Sequence, residues 1–99
     1  MKNSISYRCT ITNPKNARKK CVITTYQDGK YIYFSMVCHA AKIGINIYGN
    51  MDSIINYVKK YGQMLSRLTR VLLIDERYIF ANIVECVVTA NSELKGGVK

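Results

Sequence analysis

The stretch "CVITTYQDGKYIYFSMVC", residues 21–38, decides how the first half of the chain folds. Asp28 and Gly29 separate two runs that are rich in β-branched and aromatic residues, which is the strongest short-range signal for a β-hairpin. A two-residue type I′ turn needs positive φ at both positions, and Asp-Gly meets that need well. With Asp28 and Gly29 as the two turn residues, Tyr26 is expected to face Tyr31 across the ladder.

The two faces of this hairpin differ in character, because successive strand residues point to opposite sides. One face is predicted to be the core, and it carries Cys21, Ile23, Thr25, Ile32, Phe34 and Met36. The other face carries Lys20, Thr24, Tyr26, Tyr31 and Tyr33. Rings beside cations are typical of single-stranded nucleic-acid binding, in which bases stack and phosphates are neutralised. The alternatives are that tyrosine simply suits a half-exposed strand, or that a helix covers this face.

Upstream of the hairpin, "SISYRCTIT", residues 4–12, alternates apolar and polar residues and predicts a half-buried strand with Arg8 pointing away from the core. Between them lies "NPKNARKK", residues 13–20, which holds four cations and no acid. Pro14 and the asparagines are expected to keep this segment out of the ladder. We interpret it as a projecting loop that grips phosphate through Lys15, Arg18, Lys19 and Lys20; the alternative is a solvated loop.

Downstream of the hairpin, "AAKIGINIYGN", residues 40–50, predicts a fourth strand. "RLTRVLLID", residues 67–75, has a continuous apolar run and predicts a fifth, inner strand, with Arg67 and Arg70 at its start. From residue 77 to 93 the apolar residues follow a helical period, which predicts a helix although its valines and isoleucines would also suit a strand. Residues 94–99 are expected to form a loose tail.

The segment "NMDSIINYVKKYG", residues 50–62, predicts a helix. Asn50 or Asp52 would cap its N-terminus, and Gly62 would close its C-terminus. Lys59 and Lys60 fall in the last turn, where cations complement the helix dipole; a phosphate contact is the alternative role.

The whole pattern predicts an α+β fold in the order β-β-β-β-α-β-α. About five strands would form one antiparallel-rich sheet, and two helices would pack against one side of it. Ninety-nine residues suffice for one hydrophobic core, so residues 1–99 are expected to be a single small basic domain.

Charge indicates the class of partner. The chain has 15 Lys and Arg against 6 Asp and Glu, a formal net charge of +9. Residues 1–70 hold twelve of these cations and two acids, so a polyanion site belongs to this part. Nucleic acid, either DNA or RNA, is the expected partner, and plain solubility is the alternative reason for the charge. The candidate contact residues are Arg8, Lys15, Arg18, Lys19, Lys20, Tyr26, Lys30, Tyr31, Tyr33, Lys59, Lys60, Arg67 and Arg70.

Cysteine and targeting signals predict a cytoplasmic protein with reduced, mostly buried thiols. Neither a signal-peptide stretch nor a membrane span is evident, so no membrane partner is expected. A zinc site built from Cys9, Cys21, Cys38 and His39 is the alternative use of the cysteines. His39 is the only histidine, and the six carboxylates lack a paired catalytic spacing. We therefore expect neither an enzyme nor a cofactor.

The segments "INIYGNMDSIINYVKKYG" and "NIVECVVTANSEL", with the apolar stretch between them, resemble the C-terminal double-wing domain of the MotA family of phage middle-promoter transcription factors over residues 44–94. This resemblance implies DNA binding through a concave sheet and its wings. It also implies a hairpin turn around Asp75 and Glu76, but it transfers no individual contact residue.

Two classes of function follow from the sequence. The first is a nucleic-acid-binding module, such as a phage-type transcription regulator. The second is a phage-encoded inhibitor of a host defence, toxin or nucleic-acid-processing protein, whose basic face docks on that partner. Frequent Asn, Ile, Lys and Tyr are typical of AT-rich genomes such as those of phages. An exposed edge strand or the apolar last helix would each support a homodimer.

Overall fold

The computed structural model describes the backbone of residues 6–96 and the side chains of residues 6–92. Four strands are followed by three helices: β1 (Ser6–Asn13), β2 (Asn16–Asp28), β3 (Tyr31–Cys38), β4 (Ile43–Gly49), α1 (Met51–Lys60), α2 (Gly62–Leu72) and α3 (Glu76–Gly96). The strands pair antiparallel with their neighbours in chain order, so β1 and β4 form the two edges of the sheet. The predicted α+β class is therefore confirmed.

All three helices pack on one face of the sheet, because the alternation of the strands leaves that face apolar. The six hairpin residues predicted as core, from Cys21 to Met36, are all buried, which confirms the assignment of faces. The helices contribute Ile54, Val58, Leu65, Leu68, Leu72, Ile79, Ile83 and Val87. Burial of each large aliphatic side chain stabilises the fold by about 1.5–3 kcal/mol. None of the helices within residues 6–96 covers the second face of the sheet.

The predicted fifth strand, residues 67–75, is wrong, and so is the count of two helices. Its first six residues, 67–72, are the end of α2, and Gly62, expected to close the first helix, begins α2 instead. Leu68 and Leu72 belong to a buried helical stripe that starts before the apolar run. The buried stripe extends from Met64 to Leu72, whereas the apolar run that suggested an inner strand is shorter. The segment therefore packs as a helix rather than as a strand. Leu73 adopts φ 57 and ends the helix.

The predicted register of the β2–β3 hairpin is also wrong, by two residues. Asp28 pairs with Tyr31 and Tyr26 pairs with Tyr33, so the two turn residues are Gly29 and Lys30. Gly29 supplies the left-handed backbone of the turn, with φ +64. A shift of two residues keeps every side chain on its face, so alternation in the sequence cannot distinguish the two registers.

Both helices that the sequence predicted are found as helices, although their bounds differ. Asn50 caps α1, since its Oδ1 accepts a hydrogen bond of 2.9 Å from the backbone N–H of Ser53. The last helix extends beyond the predicted 77–93 at both ends. Its helical backbone reaches Gly96, so the loose tail predicted from residue 94 is wrong there, and residues 97–99 lie outside the described part. Residues 4 and 5 of the predicted first strand also lie outside it.

A disulfide joins Cys9 of β1 to Cys86 of α3, which corrects the expectation that all four thiols are reduced. Cys21 and Cys38 are free and buried. Burial, with a smaller contribution from Cys38, raises the pKa of the Cys21 thiol to about 12. The disulfide fastens the last helix to an edge strand across 77 residues of sequence.

Candidate nucleic-acid interface

Four tyrosines lie together on the sheet face opposite the helices, which we call the open face. Tyr26, Tyr33 and Tyr48 occupy one cross-strand row, and Tyr31 lies one row further toward the Gly29 turn. The rings of Tyr26 and Tyr33 stack with centroids 5.1 Å apart, and those of Tyr31 and Tyr48 are tilted at 5.5 Å. Tyr31 is 45% exposed and Tyr48 is 55% exposed. No helix among residues 6–96 covers these rings, so the alternative of a second core layer is excluded for the described chain.

Sequence reasoning missed Tyr48, although a signal for it was present. Ile43, Ile45 and Ile47 alternate in β4 toward the core, which places Tyr48 on the open face. The pKa of Tyr48 is raised, mainly by partial desolvation and to a smaller extent by the hydrogen bond that its hydroxyl donates to Asp28. Asp28 is the only acid on the described strands, so the aromatic row carries little negative charge.

A polar row lies beside the tyrosines on the same face. Arg8 pairs with Thr24, which pairs with Ser35, and Ser35 in turn pairs with Asn46. The Tyr33 hydroxyl donates a hydrogen bond of 2.6 Å to Oδ1 of Asn46 and so connects the two rows. Two residues along a strand span about 7 Å, so the exposed Arg8 guanidinium is near the rings. This row offers donors and acceptors beside a stacking surface.

The segment at residues 13–20 is only partly the loop that the sequence predicts. Pro14 and Lys15 form the turn, and β2 already begins at Asn16. The Cα partners jump from Thr12–Lys20 to Asn13–Asn16, so residues 17–19 bulge out of the ladder. The bulge keeps the segment exposed from Pro14 to Lys20 and leaves its four cations in solvent.

Asparagine side chains hold this bulged hairpin in shape. Oδ1 of Asn13 accepts a 2.7 Å hydrogen bond from the backbone N–H of Lys15, and Oδ1 of Asn16 accepts one of 3.0 Å from that of Arg18. Such Asx contacts are typical of turns. The cationic side chains therefore project from a backbone that these asparagine hydrogen bonds hold in place.

Helix α2 lies across the end of the sheet that carries this hairpin. Nδ2 of Asn13 donates a 3.1 Å hydrogen bond to the carbonyl of Val71, and Nη1 of Arg67 donates one of 3.3 Å to the carbonyl of Ala41. Ala41 belongs to the β3–β4 turn, and in an antiparallel meander that turn shares an end with the β1–β2 turn. Arg70, next to Val71, is thereby placed beside the hairpin.

The two turns and α2 gather cations from three parts of the chain, and we call this the basic end. It comprises Lys15, Arg18, Lys19, Lys20, Lys42, Arg67 and Arg70. Sequence reasoning missed Lys42, which occupies the β3–β4 turn with φ 56. None of these cations forms an ion pair with a described residue. The salt bridge found among the described residues joins Arg77 and Asp75, which do not belong to the basic end.

Three of the predicted lysine contacts lie apart from the basic end. Lys30 occupies the opposite turn, close to Tyr31 and Asp28. Lys59 lines a cavity of about 270 Å³ together with Glu76 and other residues of the helical layer. Lys60 is exposed at the end of α1. Lys59 therefore borders a different cavity from the one that Arg67 and Arg70 of α2 line.

The alternative zinc site loses its ligands. Cys9 is in the disulfide, and Cys38 is buried whereas His39 is exposed. Among the described side chains, no three His, Cys, Asp or Glu groups lie close enough to hold a metal ion. Within the same part of the chain, no helix is long and apolar enough to cross a membrane.

No protein-family model, curated protein or solved structure matches this chain. The resemblance to the MotA family therefore stays a prediction. Asp75 and Glu76 lie between α2 and α3, so the hairpin turn that the resemblance implies there is not found.

Proposed function

We propose that the protein binds single-stranded nucleic acid along the open face, with the phosphates directed toward the basic end. One observation carries this proposal: tyrosines lie on a sheet face that no described helix covers, and the same sheet ends in a cluster of cations. These cations have no described carboxylate partner. Bases stack on aromatic rings while cations neutralise the backbone, and both components are needed for sequence-tolerant binding.

The charge distribution favours the sheet as the binding side. Residues 6–50 hold seven cations and one acid, whereas residues 51–96 hold six cations and five acids. From Tyr26 to Lys20 along β2 the distance is about 20 Å, at roughly 3.3 Å per residue. A single-stranded nucleic acid of several nucleotides would therefore contact first the rings, then Arg8 and then the hairpin.

Single strands fit this surface better than duplexes do. Stacking on Tyr31 and Tyr48 requires bases that are free of their own stack, and a duplex keeps its bases covered. The open face is a sheet with rings lying on it, and among residues 6–96 no helix lies on this face that would enter a major groove.

The direct test is fluorescence anisotropy with labelled single- and double-stranded DNA and RNA at several salt concentrations. We expect single strands to bind more tightly than duplexes of the same length, with affinity that falls as salt rises. Binding that is absent for all four ligands at low salt would contradict the proposal.

The second candidate is the protein-binding inhibitor, because exposed tyrosines are also enriched at protein interfaces. Its partner would be acidic or would offer a nucleic-acid-binding cleft to the basic end. Size-exclusion chromatography of the purified protein, with and without nuclease, separates the two candidates. Loss of nucleic acid with a shift in elution favours the first, and absence of any nucleic acid favours the second.

A further inference from the structure

A polar groove of about 330 Å³ runs along the exposed side of α2. Its described lining consists of Gln63, Ser66, Arg67 and Arg70. These positions are spaced i, i+3, i+4 and i+7, so they form one stripe of the helix. Every one of these side chains can donate hydrogen bonds, and α2 contains no acidic residue.

The two arginines of the groove are free to bind an anion. Neither forms an ion pair with a described carboxylate. Arg67 is oriented by the hydrogen bond from its Nη1 to Ala41, which leaves its other N–H groups available. A planar guanidinium matches two oxygens of a phosphate, and a site that is already oriented loses less entropy on binding.

We propose that this groove binds a phosphate monoester, the end of a nucleic-acid strand that carries a terminal phosphate. This inference rests on the proposed function and assigns a particular ligand group to the two arginines that α2 contributes to the basic end. A phosphate monoester has a charge of about −1.5 to −2 at pH 7, whereas each internal phosphodiester has a charge of about −1. Two arginines without acidic partners match the dianion, and Ser66 and Gln63 supply further donors to its oxygens.

The position of the groove suits the end of a strand. Arg70 is adjacent to Val71, whose carbonyl is hydrogen-bonded to Asn13 of the hairpin. A strand whose terminal phosphate occupies the groove would therefore pass the hairpin cations before it reaches the open face. The groove lies at the margin of the interface, where a chain end is accommodated more readily than the middle of a strand.

The test compares oligonucleotides of one sequence that carry a 5′-phosphate, a 3′-phosphate or no terminal phosphate. We expect one phosphorylated form to bind about tenfold more tightly than the unphosphorylated form, as one charge-assisted contact provides. Arg70→Gln should abolish this difference. Arg77→Gln is the control, because it removes an exposed arginine from α3, outside the groove, and it should preserve the difference.

Inorganic phosphate distinguishes this inference from the proposed function. In an NMR titration it should shift the backbone amides of Ser66 and Arg70 in the wild type but not in Arg70→Gln. Equal affinity for all three oligonucleotides, with tight binding, overturns the terminal-phosphate inference and leaves the proposed function intact. Amide shifts without any oligonucleotide binding overturn both the proposed function and the terminal-phosphate inference, and show that the groove binds free phosphate only. Absence of both responses overturns both.

Discussion

Tyr31 and Tyr48 are the residues at which the open face exposes the most aromatic surface. Tyr31→Ala or Tyr48→Ala should each weaken single-strand binding by about 1–3 kcal/mol, the value of one base stacked on a ring. Duplex binding should change less, because duplex bases are not available for stacking. Anisotropy titrations with matched single- and double-stranded ligands measure both effects.

Tyr78→Ala provides the control for these two substitutions. Tyr78 is 57% exposed on α3, so the change removes a similar ring from the helical layer. We expect its affinity for single strands to equal that of the wild type. Losses of the same size for single strands and duplexes, or a drop in melting temperature that accounts for the loss, would show that Tyr31 and Tyr48 serve packing.

Cys21 gives a prediction about pH. Its pKa is raised from 9.0 to about 12, mainly by burial. The folded state therefore holds the thiol proton more tightly than the unfolded state does, and the stability linked to it is fully present below pH 9. This contribution should be lost as the pH rises from 9 toward 12. Chemical denaturation of the wild type and Cys21→Ala across this range should show a smaller decline in the variant, and parallel declines would argue against it.

Among the structural elements, the β1–β2 hairpin is where phosphate contacts are expected to be densest. Replacement of Lys15, Arg18 and Lys19 with Gln should preserve the fold, because their side chains are exposed and have no described ion-pair partner. The slope of log K against log salt should become shallower by about 0.7–0.9 for each phosphate contact removed. Affinity should fall by a similar factor for ligands of different sequence.

A variant with Lys59, Lys60 and Arg77 changed to Gln is the matched control for the hairpin. It removes the same charge from the helical layer, away from the basic end. We expect its salt slope to stay close to that of the wild type. If both triple variants flatten the slope equally, net charge is what matters and the hairpin has no special role in binding.

The link between β1 and α3 leads to a prediction about stability. The Cys9–Cys86 disulfide closes a loop with a sequence separation of 77 residues. Its reduction should lower the free energy of unfolding by about 4 kcal/mol on the chain-entropy account. Urea denaturation with and without reductant measures this change, and an unchanged midpoint would contradict it. The cytoplasmic location predicted from the sequence is untested, and a stable disulfide is more typical of oxidising compartments.

For the whole molecule, the fold divides the work between two layers. The helices cover one face of the sheet and complete the core. The open face carries its four tyrosines, and the basic end of the sheet carries most of the unpaired cations among the described residues. The last helix is buried along Ile79, Ile83 and Val87, so its apolar stripe is occupied within the chain. Of the two dimer surfaces expected from the sequence, the edge strands β1 and β4 are free of a strand partner among the described residues.

The sequence by itself determined the features that depend on local periodicity. Alternation in residues 21–38 assigns the core and open faces, because side chains switch sides at every strand residue. The helical period near the C-terminus and the N-cap at Asn50 are equally local, since each depends on residues within a few turns. Three of the tyrosines and the hairpin cations could therefore be identified before the fold was known.

Only the tertiary structure decided the features that join distant parts of the chain. The contact of Asn13 with Val71 spans 58 residues, and it brings Arg70 to the hairpin. The arrangement of Arg67 against Ala41 and the pairing of Cys9 with Cys86 are also long-range. Periodicity within a short window contains no information about such pairs, because they form only when the whole core packs.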